Sequence, residues 1–344
     1  MPPEPVRRTY KYRFYPTSIQ EVELSRTFGC VRLVYNKALH IRSEAWHTER
    51  RRIGYHKTSA LLTSWKKTEE LAFLNEVSSV PLQQALRHLQ SGFVAFWQGR
   101  TKYPRFKSKR KSRASAEYTR SAFNFRNGQL RLAKMTEPLT IVWSRPLPEG
   151  AEPTTITVSR DSAGRWFVCL LMEDRSVKPL PYTTRTVGLD IGLTSLVTLS
   201  NGEKISNPKH ESRDRKRLAF AQRRLARKTR GSRNRIKARR KVARINARIS
   251  DQRTDYLHKL TTRLVRENQT IVVEDLNVRG MLKNHKLARA ISDASWYQLR
   301  YMLDYKCRWY GRELVTVDRW FPSTKICSIC WHKYDERLPL TIRE

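Results

Sequence analysis

Two acidic residues stand where carboxylates are costly. Asp190 lies inside the apolar run Val187 to Ile191, and Glu274 closes the run Thr270 to Glu274, just before Asp275. A carboxylate among apolar residues needs a partner to offset its lost hydration. If the two runs are neighbouring strands, their carboxylates meet and repel unless divalent cations sit between them. Hard oxygen ligands suit Mg²⁺, and paired Mg²⁺ ions ~4 Å apart serve in phosphodiester cleavage. Taken singly, Asp190 reads as well as a solvated strand end and Glu274 as a turn cap. Taken together, their placement favours the metal. Cys327 and Cys330 form a CxxC after Pro322. One such pair is half of a tetrahedral zinc site, and His332 is too close to Cys330 for a comfortable third ligand. Cys30 and Cys169 fall in apolar patterns, and Cys307 sits mid-helix.

A run of cations is the third feature. From Arg213 to Arg248 there are 17 Lys plus Arg and one acid, Asp214, a local balance of 17 − 1 = +16. Solvated helix faces usually mix signs, and this one does not. Leu218, Ala221, Leu225, Ile236, Val242, Ile245 and Ile249 predict a thin helical hairpin that bends near Gly231-Ser232. The other positions, Arg223, Arg224, Arg227, Lys228, Arg235, Arg239, Arg240 and Lys241 among them, are candidates for phosphate contacts. Such contacts attract and position nucleic acid but read no sequence. Arg105 and Lys107, in YPRFK, are further candidates for a nucleic-acid backbone. Tyr55, Gln83 and Asn124 are polar groups at a loop, a helix start and a strand, and are candidates for reading base edges.

Composition agrees. The 344 residues carry 69 Lys plus Arg against 31 Asp plus Glu, a net charge of +38. So large an excess calls for a polyanionic partner. No apolar run approaches the ~18 residues of a membrane helix, and Met1 to Arg13 has no apolar signal core. Five cysteines, an odd number in a long chain, argue for a reducing compartment and against a disulfide scaffold. Membrane, secreted and fibrous classes are excluded, and a cytosolic nucleic-acid binder remains.

The elements that must position these residues can be read from periodicity. Residues 6–15 alternate as a strand with Lys and Arg on one face, ended by Pro16. Residues 18–48 are helical through Ile19, Val22, Val31, Tyr35, Ala38 and Ile41, and a second helix is expected near 58–72. A third starts at Ser78-Ser79 and Pro81, with the stripe Leu82, Leu86, Leu89, Phe93 and Phe96. Short strands follow at Phe123–Phe125, Gln129–Leu132, Leu139–Trp143, Thr154–Ser159 and Arg165–Met172, with turns at Asn127-Gly128 and Ala163-Gly164. Residues 1–15 plus 106–182 are therefore expected to form a β-barrel with a helical bundle, 16–105, inserted in it. Over 183–321 the order is a three-strand meander, the basic helical zone 211–267, strand 270–274, a helix from a Ser292-Asp293 cap to Gly311, and a last strand at Glu313–Asp318. That is the order of an RNase H-like sheet. Residues 322–344 would be a partial zinc ribbon. The expected fold class is multidomain α+β.

The segments RFYPT, FGCVRLVYN, YPRFKSKRK, VGLDIGLTSLVTLSNG, VVEDLNVRGM, ISDASW, YKCRWYG and FPSTKICSIC run in order through nearly the whole chain. Together they resemble the TnpB (transposase OrfB) proteins of insertion sequences, relatives of type V CRISPR effectors. The resemblance implies a wedge-type β-barrel, an inserted recognition domain and a RuvC-like nuclease domain. It implies a guide RNA transcribed from the element's end, a double-stranded DNA target, and a cytoplasmic, nucleoid-associated place in a bacterium or archaeon. Neither a membrane nor a small-molecule substrate is implied. Asp190 and Glu274 match the first two RuvC carboxylates, and Cys327 and Cys330 the first zinc pair. In the family a second CxxC and a helix with a third catalytic Asp come next, whereas this sequence ends at Glu344. Asp335 falls in the intervening hairpin, not in that helix. The expectation is thus a C-terminally truncated chain, with two Mg²⁺ ligands, half of a Zn²⁺ site and weak cleavage, in which guide and target binding survive. The alternatives are an RNA-guided binder or repressor without nuclease activity and a strand-transfer transposase.

Overall fold

The computed structural model describes residues 6–110, 112–318 and 332. Two compact units divide the chain, Met1–Ser176 and Val177–Glu344.

In the first unit, strand β1 (Val6–Phe14) alternates as its sequence predicts, burying Tyr10, Tyr12 and Phe14 and turning Arg7, Thr9 and Lys11 outward. Pro16 ends it, and Thr17 caps helix α1 (Ser18–Glu49) through a capping box with Gln20. The buried face of α1 is Leu24, Phe28, Val31, Val34, Ala38 and Leu39. Ile19 and Val22, expected on that face, are 71% and 59% exposed. They fall in the first two turns, on the side away from the core. The helix expected near 58–72 is two pieces, α2 (Tyr55–Trp65) and a 3₁₀ stretch, Glu69–Asn75. Helix α3 (Ser79–Trp97) buries Leu82, Leu86, Leu89 and Phe93, while Phe96 stays at the surface.

Six strands follow: β2 (Ala114–Thr119), β3 (Phe123–Arg126), β4 (Gln129–Leu132), β5 (Ile141–Val142), β6 (Thr155–Arg160) and β7 (Trp166–Asp174). Strand β2, in ASAEYT, was not expected. Its small residues give no apolar alternation, yet Ala116 and Tyr118 are buried. The order β2-β6-β7-β1-β5 makes an antiparallel sheet in which β1 returns to pair with β7 over nine positions. The expected barrel is not closed by hydrogen bonds among the described residues. Instead β3 and β4 form a separate hairpin, turned by Asn127 and Gly128, both at positive φ. Sheet, hairpin and helices share one core.

The second unit begins with β8 (Thr186–Ile191), β9 (Ser195–Leu199) and β10 (Lys204–Ser206), an antiparallel meander. Helices α4 (His210–Ala226) and α5 (Arg233–Glu267) follow as an antiparallel hairpin. Strand β11 (Thr270–Glu274), short helices α6 (Val278–Met281) and α7 (Ala288–Ala294), helix α8 (Trp296–Tyr310) and strand β12 (Glu313–Val317) complete it. The sheet order is β10-β9-β8-β11-β12, with β11 parallel to both neighbours. This is the strand order anticipated for an RNase H-like sheet. Helix α8 covers it with Trp296, Leu299, Met302, Leu303 and Cys307, a stripe at helical spacing. Each such large apolar side chain contributes about 1.5–3 kcal/mol by burial.

The helix expected to start at Ser292-Asp293 is broken one turn later. Ser295, at φ 54°, separates α7 from α8. Asp293 does not cap its own helix. It accepts hydrogen bonds from the Glu211 and Ser212 amides and from Arg253, at 2.9–3.4 Å, and so caps the start of α4. No helix among the described residues is long and apolar enough to cross a membrane.

Candidate nuclease site and nucleic-acid interface

Asp190 and Glu274 come together through strand register. Leu189 pairs with Val273 on adjacent parallel strands, and both are buried. The next residue on each strand, Asp190 and Glu274, therefore points to the opposite face, side by side across one strand spacing of ~4.8 Å. Partial desolvation at the strand end, where Glu274 is still reached by solvent, and then the neighbouring Asp190 charge push the Glu274 carboxyl above the usual glutamate range. Neither carboxylate makes an ion pair among the described residues. Their setting differs from the sequence expectation in one respect: both are exposed at the sheet's end, not sunk in its core. The apolar run around Asp190 misled because only alternate residues of it face inward.

The neighbourhood is fixed by local chemistry. A Cβ on Gly192 would lie 2.9 Å from the Ser195 carbonyl, so only glycine permits the tight turn after Asp190. Trp296 Nε1 donates to the Gly192 carbonyl at 3.3 Å and ties that turn to α8. Asp275, next to Glu274, is held at 2.6 Å by Arg300, which also donates to Thr316. The adjacent guanidinium is thus engaged by Asp275 and leaves the Asp190–Glu274 pair un-neutralised. A cleft of about 590 Å³ opens beside Glu274, lined in part by Arg300, Tyr297 and Tyr301. These three were missed in the sequence. The signal was available as the spacing 297, 301 on the helix side away from Leu299 and Leu303.

The donor set suits a hard divalent cation: two carboxylates at adjacent strand ends, without an ion pair among the described residues, one raised by desolvation and then by the other's charge. Among the described residues no group of three His, Cys, Asp or Glu side chains is placed to hold a metal. Cys327, Cys330 and Asp335 lie outside the described residues, as does the partial zinc ribbon.

The basic hairpin forms as its stripe predicts. Leu218 and Ala221 of α4 pack on Ile245 and Ile249 of α5, with Val242 beside them. Ile236 does not join them and is 47% exposed. Among the described residues, only Arg215 and Arg217 of the 17 cations meet a carboxylate. A groove of about 640 Å³ is lined by Arg217, Lys237, Arg240, Lys241, Arg244 and Arg248, with Ile236 and Ile245. Arg223, Arg224, Arg227, Lys228 and Arg239 are exposed elsewhere on the hairpin. Arg235 is committed to the fold: its Nη1 donates to the Leu225 and Lys228 carbonyls at 3.0 and 2.7 Å and closes the bend.

In the first unit, Arg105 is exposed. Lys107 is held back, its Nζ 4.0 Å from the Tyr35 ring centroid and its backbone bonded to the Asn36 side chain. Tyr55 accepts a hydrogen bond from Arg87 Nε at 3.2 Å. Gln83 is exposed one turn before Arg87, so Tyr55 and Gln83 share a neighbourhood. Asn124 lies opposite Arg131 on the β3–β4 hairpin.

The second unit thus joins a five-stranded mixed sheet, with Asp190 and Glu274 at the ends of adjacent parallel strands, to a cationic helical hairpin. Comparison with known proteins narrows the reading. Residues 167–285 match a family model described as "Probable transposase" of the IS605 OrfB type. Residues 296–343 match the "Cas12f1-like, TNB domain", and residues 1–51 a "Helix-turn-helix domain", although the described part of that last stretch is a strand and one long helix. A Streptomyces pristinaespiralis protein named "Putative RNA-guided DNA endonuclease" is 70% identical over 98% of this chain and 84% of its own length. InsQ of Escherichia coli K12, named in the same way, is 31% identical over 96% of this chain and 84% of its own. The chain belongs to the TnpB (OrfB) family of insertion-sequence proteins. In fold it is similar to the protein in a Cas12f1–sgRNA–target DNA complex, with a TM-score of 0.57 and 12% identity over 96% of this chain and 92% of that one.

Proposed function

We propose that this chain is an RNA-guided DNA-binding protein whose Asp190 and Glu274 form part of a Mg²⁺-dependent DNA endonuclease site. The observation that supports the reading is the placement of Asp190 and Glu274 at the ends of adjacent parallel strands, where desolvation and the Asp190 charge raise the Glu274 carboxyl and no ion pair to either is formed among the described residues. Asp190 and Glu274 would hold the metal. Bound divalent cations would supply Lewis acidity for the attacking water and the leaving oxygen. The chain's own residues do the rest. The Gly192 turn and Trp296 fix where the Asp190 carboxylate points, and Arg300 keeps Asp275 turned aside. The hairpin groove holds phosphates of a guide RNA or guide–target duplex, recognised by charge and shape, while base pairing selects the sequence. Arg105 would contact the guide backbone, with Lys107 held against Tyr35 and so not offered to it, and Tyr55, Gln83 and Asn124 would read a short motif beside the target. Zn²⁺ on Cys327 and Cys330 belongs to the same reading.

The full chain with its co-purifying RNA should cleave a matched plasmid in Mg²⁺, and Asp190→Ala should abolish the cut. A second reading is an RNA-guided binder that cleaves poorly, favoured by the gathering of only two carboxylates among the described residues. Guide-dependent binding without Mg²⁺-dependent cutting would select it. Joined instead of cut DNA ends would indicate strand transfer.

A further inference from the structure

The first unit carries an aromatic pocket far in sequence from the carboxylates. It measures about 270 Å³ and lies between the C-terminal part of α1 and that of α3. Its rim is Trp46, Phe96, Trp97 and Tyr103, each more than a third exposed. Four exposed aromatic faces gathered on one spot mark a binding surface. They are held in place: Tyr103 stands edge-on to Phe93 and Phe96, at 5.4 and 5.3 Å between ring centroids, and shares a 2.8 Å hydrogen bond with Ser43.

The floor is cationic. Arg42 is 5% exposed, and its guanidinium lies 4.0 Å from the Phe93 ring centroid. Its hydrogen bond goes to the neutral Gln90 side chain at 2.9 Å, and it makes no ion pair among the described residues. Burial pushes its pKa down to about 10, against an opposing effect of Tyr103. A buried guanidinium with no anion is costly unless a ligand completes it. At the mouth, Arg52 rests against both Trp46 and Trp97, at 5.7 and 5.5 Å, again with no ion pair. Arg52 thus covers both indoles in the unliganded protein, and its flexible stem lets the guanidinium swing aside to meet a ligand's anion and uncover the rings.

The occupant must be flat and aromatic, must present hydrogen-bond acceptors to Arg42, and must bring negative charge to Arg52. A nucleotide has all three properties. The pocket is slightly smaller than the ~300–1,000 Å³ of ordinary ligand sites, which suits one base and not a stretch of strand. Unpaired RNA bases are recognised in this manner, splayed out and stacked on aromatic rings and guanidinium planes. We propose that the pocket between α1 and α3 captures one unstacked base of the bound RNA, stacked on Trp46 and Trp97, with its edge on Arg42 and its phosphate on Arg52. The proposal rests on the RNA-binding reading but not on cleavage.

Two synthetic RNAs test it with the full-length protein: a perfect duplex, and the same duplex with one bulged fluorescent adenine analogue. Wild-type protein should quench the analogue and bind the bulged RNA about tenfold more tightly than either Trp97→Ala or Arg52→Ala does. Affinity for the perfect duplex should be unchanged in both variants. Both positions are exposed, so the fold should persist, as circular dichroism would verify. Retained quenching in both variants, or an equal loss of affinity for both RNAs, would overturn the proposal. So would quenching of the protein's tryptophans by free adenosine monophosphate without any preference for the bulged RNA. Failure of the wild type to bind either RNA would overturn this site and the RNA-binding reading together.

Discussion

Replacing Glu274 by Gln should stabilise the metal-free protein while removing its response to Mg²⁺. The two residues follow a paired position on adjacent strands, whose backbones lie ~4.8 Å apart, and that spacing is taken for their charges. Full charges at that distance repel by about 0.9 kcal/mol in water and about 3.5 kcal/mol at an effective dielectric of 20. Both side chains are exposed, so screening keeps the cost at the lower end, about 0.5–1 kcal/mol. Removing one charge should therefore raise Tm in chelator by about 1–4 °C for a unit of this size. Mg²⁺ at ten times its dissociation constant should stabilise the wild type by about 1.4 kcal/mol, and E274Q hardly at all. The wild-type pH profile has a definite sign. The folded carboxyl titrates above its unfolded value of ~4.3, so the folded state holds that proton more tightly. The repulsive penalty is absent below the unfolded value, grows as pH rises, and is complete above the folded value. Stability should therefore fall across that window in the wild type and stay flat in E274Q. Thermal unfolding with and without Mg²⁺, repeated across that pH range, measures all of this. Equal Mg²⁺ stabilisation of E274Q and wild type, or an E274Q that melts lower in chelator, would refute the metal reading of the pair.

Arg235→Ala should cost about 1–2 kcal/mol, because two charge-assisted bonds to carbonyls at the hairpin bend are lost, and amide hydrogen exchange at 225–235 would register it. Arg240→Ala should leave stability unchanged but lower the slope of log affinity for RNA against log salt by about 0.7–0.9, since one phosphate contact is lost. Asp293→Ala removes the α4 cap and the 2.9 Å partner of Arg253, and should cost about 3 kcal/mol in urea unfolding, because a charge is left behind with little exposure. Asp293→Asn should recover part of that loss by keeping an acceptor for the α4 amides.

Legibility in the sequence followed the physical origin of each signal. The meander, β11 and the hairpin stripe were readable because period and polarity change sharply there. Glu274 and Asp190 were readable because a carboxylate in a strand stands out against its neighbours. Their exposure was not, since a run of apolar letters does not say which of them face inward. Strand β2 was invisible because it is built of small and polar residues whose pairing with β6 is a tertiary choice. The break at Ser295 was hidden for a similar reason, as nothing local in ISDAS announces that Asp293 is engaged by another helix. Arg235 and Lys107 looked like any other cations in a basic run, and only the geometry shows that their charges are already spoken for.

The hairpin's small apolar seam has a further meaning. Four buried side chains hold together a hairpin whose stretch from Arg213 to Arg248 carries seventeen cations, and the seam spans only Leu218–Ala221 and Ile245–Ile249. Towards the bend the described contacts reduce to Val242 beside the seam and the Arg235 clasp on the Leu225 and Lys228 carbonyls. On the proposed reading, a polyanion laid in the groove would cancel charge repulsion and supply the cohesion that a longer apolar seam would have given. The nucleic acid would then be a structural component of this arm, and its arrival and the arm's stiffening one thermodynamic event.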